Sequence, residues 1–190
     1  DLVAAILADA LDEDEFEMLA NLLDRNPEKI QEWVAKRRVG EHTYWVCAFS
    51  VSQHSAICGL NPCHDEDPVT GLVHETCACS VPRQLNDTPP LFKGRSIGCE
   101  MNKFDDMIAY LSAQNPSFEQ VIAVDANFNL FSRAWCVSEI AKAHAIGIKQ
   151  HLKLLNVRSL ESNAFLLQNL RVENMEASRP EDIAEILSLI

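Results

Sequence analysis

Apolar positions along the start of the chain recur at helical spacing. Leu2, Val3, Ile6, Leu7 and Leu11 share one face of a first helix. Asp12 and Glu15 have the spacing of a capping box, which predicts that a second helix begins there. Asn26-Pro27 supplies an N-cap followed by a first-turn proline and predicts a third helix. Ile30, Trp33 and Val34 form its apolar face, and Lys36-Arg37-Arg38 meets its negative end. Residues 1–40 therefore read as a helical segment ahead of the main domain, either a collar on it or a linker to a neighbour.

The pattern changes at Thr43. Residues 43–51 are aromatic, β-branched and nearly free of charge, as in a strand buried on both faces, with its core at 45–50. Residues 58–99 hold five of the eight prolines and four of the six glycines, so regular structure is not expected there. Helix and strand patterns then alternate. A helix from about Glu100 has Met101, Phe104, Met107, Ile108 and Leu111 on its apolar face and stops at Asn115-Pro116. A strand at 121–124 ends in Asp125, and a helix runs from Ser132 as N-cap to Gly147 as stop. A strand near 151–155, its core at 152–155, precedes a helix from Ser159. A last helix opens on the capping box Ser178-Arg179-Pro180-Glu181 and buries Ile183, Ile186, Leu187 and Ile190. This alternation predicts a three-layer α/β domain over residues 41–190, with a mainly parallel sheet, helices on both faces and residues 58–99 as an irregular insertion.

Composition narrows the functional classes. The 190 residues are 47% hydrophobic, enough for one buried core. No apolar run approaches the roughly 20 residues that span a bilayer, and the opening Asp1-Leu2-Val3 has neither an initiator Met nor a basic signal region. A soluble, cytosolic piece of a longer chain is expected. The formal net charge of −12 argues against nucleic acid and anionic membrane as partners, since both need a basic surface. The acidic run Asp12-Glu13-Asp14-Glu15 reads as a solvated helix start rather than a docking site.

Five of the seven cysteines fall between Cys58 and Cys99, together with His64 and His74. Without a secretory signal such a cluster reads as a metal site before it reads as a disulfide framework. A loop of that length needs something other than a hydrophobic core to order it, and thiolate with imidazole suits zinc. Cys58, Cys77, Cys79 and Cys99 are the expected ligands. Cys77 and Cys79 form a tight pair, and Cys58 and Cys99 mark where the insertion leaves and rejoins the core. His74 is the first reserve, with Cys63 and His64 behind it. No His-Glu-x-x-His or deaminase pattern accompanies them, so structural zinc is expected over catalytic zinc. Reduced thiols in a loop are the alternative.

The most informative stretch is Ser132-Arg133-Ala134-Trp135-Cys136-Val137-Ser138-Glu139-Ile140. Trp135, Cys136, Ile140 and Ala143 fall on one helical face, and Glu139 borders it one turn after Trp135. A carboxylate there needs a partner or a pocket; Arg133 and Lys142 are the nearby candidates for a partner. This stretch resembles the Toll/interleukin receptor (TIR) family, whose corresponding helix opens Ser-x-x-Trp-Cys-x-x-Glu-Leu. Trp45-Val46-Cys47-Ala48-Phe49, Gln53-His54 and Arg133-Ala134-Trp135-Cys136 more closely resemble a divergent TIR-like family of unicellular eukaryotes. The resemblance covers about residues 43–190 and implies a flavodoxin-like sheet.

By that resemblance Glu139 is the counterpart of the glutamate with which some TIR domains cleave NAD. Such a carboxylate stabilises the oxocarbenium character that develops as the nicotinamide–ribose bond breaks. Ser52, Gln53 and His54 beyond the first strand, Asp125 beyond another, and Trp135 would be the nucleotide-contacting set, though Trp135 also reads as core. Other TIR domains are non-catalytic modules that self-associate, so the resemblance implies two functions: an NAD hydrolase, or a zinc-stabilised protein-interaction and assembly module. The insertion at 58–99 stands where ordinary TIR domains carry a pocket-lining loop, and no glycine-rich phosphate loop appears. His144 and His151 read as structural, and Cys136 has no histidine placed to activate it.

Overall fold

A computed structural model describes residues 1–46, 64, 66, 70–73, 91–92, 95–96, 103–177 and 183. The chain opens with helices α1 (Leu2–Ala10), α2 (Glu17–Arg25) and α3 (Pro27–Arg37). Two short strands, β1 (Leu91–Phe92) and β2 (Arg95–Ser96), pair antiparallel, so the insertion contains some regular pairing after all. There follow α4 (Lys103–Gln114), β3 (Glu119–Val124), a 3-10 turn at Asn129–Ser132, α5 (Ala134–Ala145), β4 (Lys149–Leu154), α6 (Val157–Gln168) and a second 3-10 turn at Val172–Asn174.

β3 and β4 are parallel, in register from Glu119 opposite Lys149 to Val124 opposite Leu154, with α5 as the crossover between them. Alternation along the strands separates two faces. Ala123 and, beyond the end of β4, Leu155 join a core built by Ala4, Ala5, Ala8, Leu11, Phe16 and Leu19. Ala4, Ala5 and Ala8 of α1 are fully buried, and their small side chains let the helix lie close on the sheet. On the opposite face Ile122, Val124 and Leu154 pack with Phe128, Leu130, Phe131, Ile140 of α5 and Leu167 of α6. Helices thus cover both faces of a parallel strand pair, an α/β arrangement. α4 docks beside α5, with Ile108 against Ala143 and Ile148.

Local signals set several boundaries as expected. The Asn26 side chain accepts from the Lys29 N–H at 3.3 Å and Pro27 opens α3. Gly147 takes a positive φ of 78°; its N–H bonds to the His144 carbonyl and that of Ile148 to the Ala143 carbonyl, the paired bonds of a Schellman stop. Asn156 rather than Ser159 caps the next helix, its side chain accepting from the Ser159 N–H at 2.9 Å, so α6 begins at Val157.

Other expectations are corrected. Asp12 and Glu15 make no capping box: Asp12 sits at a φ of 58°, and α2 begins only at Glu17. Instead residues 14–16 run alongside the end of β4, with Leu154 N–H bonded to Asp14 O and Phe16 N–H to Leu154 O. The Glu15 carboxylate accepts from the Val157 N–H at 3.1 Å, so it caps α6. The acidic run is therefore part of the fold and not merely a solvated helix start. Residues 42–46 are irregular backbone where the first strand was expected to open, and 47–51 lie outside the described residues. The strand expected near 151–155 starts earlier, at Lys149, and ends at Leu154; its alternation puts Lys153 inside, 4% exposed, and leaves Leu152 46% exposed. The last helix, apart from Ile183, also lies outside the described residues.

Candidate functional site at the carboxyl end of the parallel strands

The backbone turns sharply where β3 ends, and Asp125 makes the turn. Its Oδ1 accepts from the Asn127 N–H at 2.9 Å and its Oδ2 from the Leu130 N–H at 3.3 Å, while its carbonyl accepts from Phe128 N–H. Phe128 adopts a left-handed φ of 60° with its ring buried, 5.9 Å from the Phe131 ring. Both carboxylate oxygens of Asp125 are thus occupied by its own loop.

α5 starts differently from its sequence signal. Ser132 does not cap it: the hydroxyl donates to Asn129 O at 2.8 Å, and Arg133 occupies the cap position in extended conformation. The backbone at Glu176 takes over, accepting from the Ala134 N–H at 2.8 Å and donating to Ser132 O at 2.7 Å. One of the orphan N–H groups of the helix is so satisfied by a returning chain. Trp135 packs at that junction with Ala134, Val137, Val172, Met175 and Ala177, in the core role.

Glu139 lies half-buried on α5, one turn beyond Trp135. Its charge reaches Cys136, whose thiol is pushed up by burial, drawn down by Arg133 and pushed up again by Glu139, with a net upward shift. A thiol in that environment is a poor nucleophile, as the absence of an activating histidine in the sequence implied.

Ser52, Gln53, His54, Cys58, Cys63, His74, Cys77, Cys79 and Cys99 lie outside the described residues. His64 is described, exposed and at a left-handed φ of 53°. Among the described residues no group of three or more His, Cys, Asp or Glu side chains is placed to hold a metal. No described helix is long and apolar enough to cross a membrane. A depression of about 510 Å³ lies along α2, lined by Glu17, Met18, Asn21, Leu22 and Arg25, with no residue of α5 in its wall.

Sequence reasoning missed a polar cluster beneath α1. Asp9 Oδ1 is 2.7 Å from His151 Nδ1 and 3.7 Å from Lys153 Nζ, and Asp9 Oδ2 accepts from the Tyr44 hydroxyl at 2.9 Å. Lys153 also donates to Glu13 O at 3.0 Å. Burial pushes the Asp9 carboxyl up, but hydrogen bonds from His151 and Tyr44 and the charges of His151 and Lys153 outweigh it and hold it below the ordinary range. Burial, then Asp9 itself, push the Tyr44 hydroxyl up. Asp9 and His151 are 142 residues apart, so no local motif could have paired them. The only trace in the sequence is the period-2 placement of His151 and Lys153 on one strand face.

Comparison of the chain with protein-family models, curated proteins and solved structures found no match.

Proposed function

We propose that this chain is a TIR-like signalling domain of three-layer, flavodoxin-like build that acts as a protein-interaction and assembly module, with structural zinc ordering its Cys/His-rich insertion. The observation that carries this reading is Asp125. Both its oxygens are engaged by loop N–H groups, so the carboxyl end of β3 offers a self-satisfied turn in place of an open polar group for a nucleotide. Trp135 is likewise taken up in packing. Meanwhile α6 leaves Phe165 77% exposed, with Val157 and Leu166 also in water; large apolar side chains so placed support an association surface. Light scattering over a wide concentration range tests the reading: self-association in the absence of nucleotide supports it, and a strict monomer that turns over NAD overturns it.

The zinc component rests on the Cys58, Cys77, Cys79 and Cys99 set. Protein purified under reducing conditions should carry about one equivalent of zinc, and Cys77→Ser or Cys79→Ser should cost folding. Metal-free protein with freely reactive thiols would remove it.

A second reading, hydrolysis of NAD or a related nucleotide at Glu139, is favoured by one observation. Glu139 sits half-buried on the helix that joins two parallel strands, one turn after Trp135, where the TIR resemblance puts the catalytic carboxylate. Its role would be to stabilise the developing positive charge, so Glu139→Ala would abolish nicotinamide release with the melting temperature unchanged and little effect on substrate affinity. Loss of stability in that variant, with no turnover by dilute or concentrated wild type, leaves the module reading standing.

A further inference from the structure

α6 meets the rest of the fold along one stripe. Ser159 is buried, Asn163 a turn later donates to the carbonyls of Ala126 at 2.9 Å and Ser159 at 2.8 Å, and Leu167 a turn beyond packs behind Ile122 and Val124. At about 100° per residue, the opposite side of the helix carries Arg158, Glu161 and Phe165. All three are exposed, Phe165 at 77%. Among the described residues no ion pair holds either of the two charges.

That outer face is complementary to itself. Two α6 helices laid antiparallel, with a two-fold axis between Glu161 and Ser162, bring Arg158 of each opposite Phe165 of the other. Within one helix the two positions stand about 10.5 Å apart along the axis, and Arg158 leans toward the N-terminus, away from the ring of its own chain. Across the two-fold its guanidinium can lie on the facing ring and reach the Glu161 carboxylate one turn before that ring, joining a cation–π contact to an ion pair. An isologous interface needs this kind of self-complementarity. Charge also favours a second copy over an unlike partner. The chain carries −12, so a cationic partner is drawn to its acidic stretches and an anionic one is repelled, whereas the outer face of α6 holds one charge of each sign.

The geometry points to an isologous contact between two copies of this chain, made by antiparallel α6 helices, with Arg158 of each seated on Phe165 and Glu161 of the other. Such a contact rests on the assembly-module reading above and names the partner and the register of that association.

Charge reversal tests it, with sedimentation velocity of the full chain over a wide concentration range. Arg158→Glu sets carboxylates against each other across the two-fold, and Glu161→Arg does the same with guanidinium groups. Each variant alone should associate about tenfold more weakly than wild type, or worse. Mixed in equal amounts, the two should recover most of the association as a heterodimer, because each supplies the charge that the other lacks. Mixing repairs nothing within a single helix, so recovery reports contacts between chains. Both positions are exposed, and the melting temperatures should stay within about 1–2 °C of wild type. Should either reversal not fold, a double-mutant cycle of Arg158→Ala and Glu161→Ala decides instead: non-additive losses of association support the contact, and additive ones count against it. Wild type that stays monomeric throughout removes this contact together with self-association as a whole. Wild type that associates, with reversals that leave it unaffected or a mixture no stronger than either variant alone, overturns the contact and leaves the module reading standing.

Discussion

A lysine with 4% of its surface in water is unusual, because an uncompensated ammonium at that depth costs several kcal/mol. Lys153 is kept there by the Glu13 carbonyl and by Asp9, which also receives His151 and Tyr44. Asp9→Ala should therefore cost about 2–4 kcal/mol, since it strands a buried cation, whereas Tyr44→Phe should cost about 1 kcal/mol for one lost hydrogen bond; urea unfolding measures both. Asp9 also sets an acid limb. Its folded carboxyl lies below the ordinary 3.8, despite burial pushing the other way, because His151 and Tyr44 bond to it and His151 and Lys153 are positive. The unfolded chain then binds more protons between the two values. The contribution of Asp9 is whole above about pH 4 and drains away as pH falls through the folded value. Asp9→Asn should flatten stability against pH in that interval, and an unchanged acid limb in the variant would show that other carboxylates dominate it.

At the scale of single elements, signals that act within one turn were legible and signals that act across the chain were not. Asn26-Pro27 and Gly147 both did what their chemistry dictates, because a cap or a left-handed stop is decided by the backbone beside it. A Cβ at Gly147 would meet nothing within 4 Å, so Gly147→Ala isolates the strain of the positive φ and should cost about 1 kcal/mol in a denaturant melt. Asp12 and Glu15 had the spacing of a capping box but not its role, since Glu15 caps α6 instead, 142 residues on. Glu15→Ala should lower stability by about 0.5–1 kcal/mol and fray the first turn of α6 in exchange measurements. Ser132 failed as a cap for a similar reason: the chain returning at Glu176 satisfies Ala134 before a side chain is needed. The strand signal at Thr43 rested on propensity alone, and at residues 42–46 the backbone is irregular while Tyr44 serves Asp9.

For the molecule as a whole, the parallel βαβ core was readable from the alternation of patterns, and Glu139 fell on the crossover helix as expected. The placement of the N-terminal helices was not readable, because which face of a sheet a helix covers is a tertiary choice. Here α1 supplies one side of the core and residues 14–16 extend the pairing beyond β4. At the outer surface, Phe165 on α6 is the most informative residue for the module reading. Phe165→Ser should weaken concentration-dependent association by light scattering while leaving the melting temperature within about 1–2 °C, because an exposed side chain contributes little to the fold. Association unchanged in that variant would move the surface elsewhere.

The pairing of residues 14–16 with the end of β4 also has a temporal meaning. Contacts such as Asp9 to His151 and Glu15 to Val157 each span 142 residues, and ordering so long a loop is slow because its closure entropy must be met before the contact forms. On a ribosome adding about 5–20 residues per second, α1 emerges roughly seven to thirty seconds before β4, one of the two strands it covers. During that interval Leu11, Phe16 and Leu19 have no sheet to lie against, so the segment of α1 and α2 is open to chaperones and to mispairing. Synthesis rate through the middle of the chain, rather than the strength of any single contact, should then govern how much of this protein reaches its folded state.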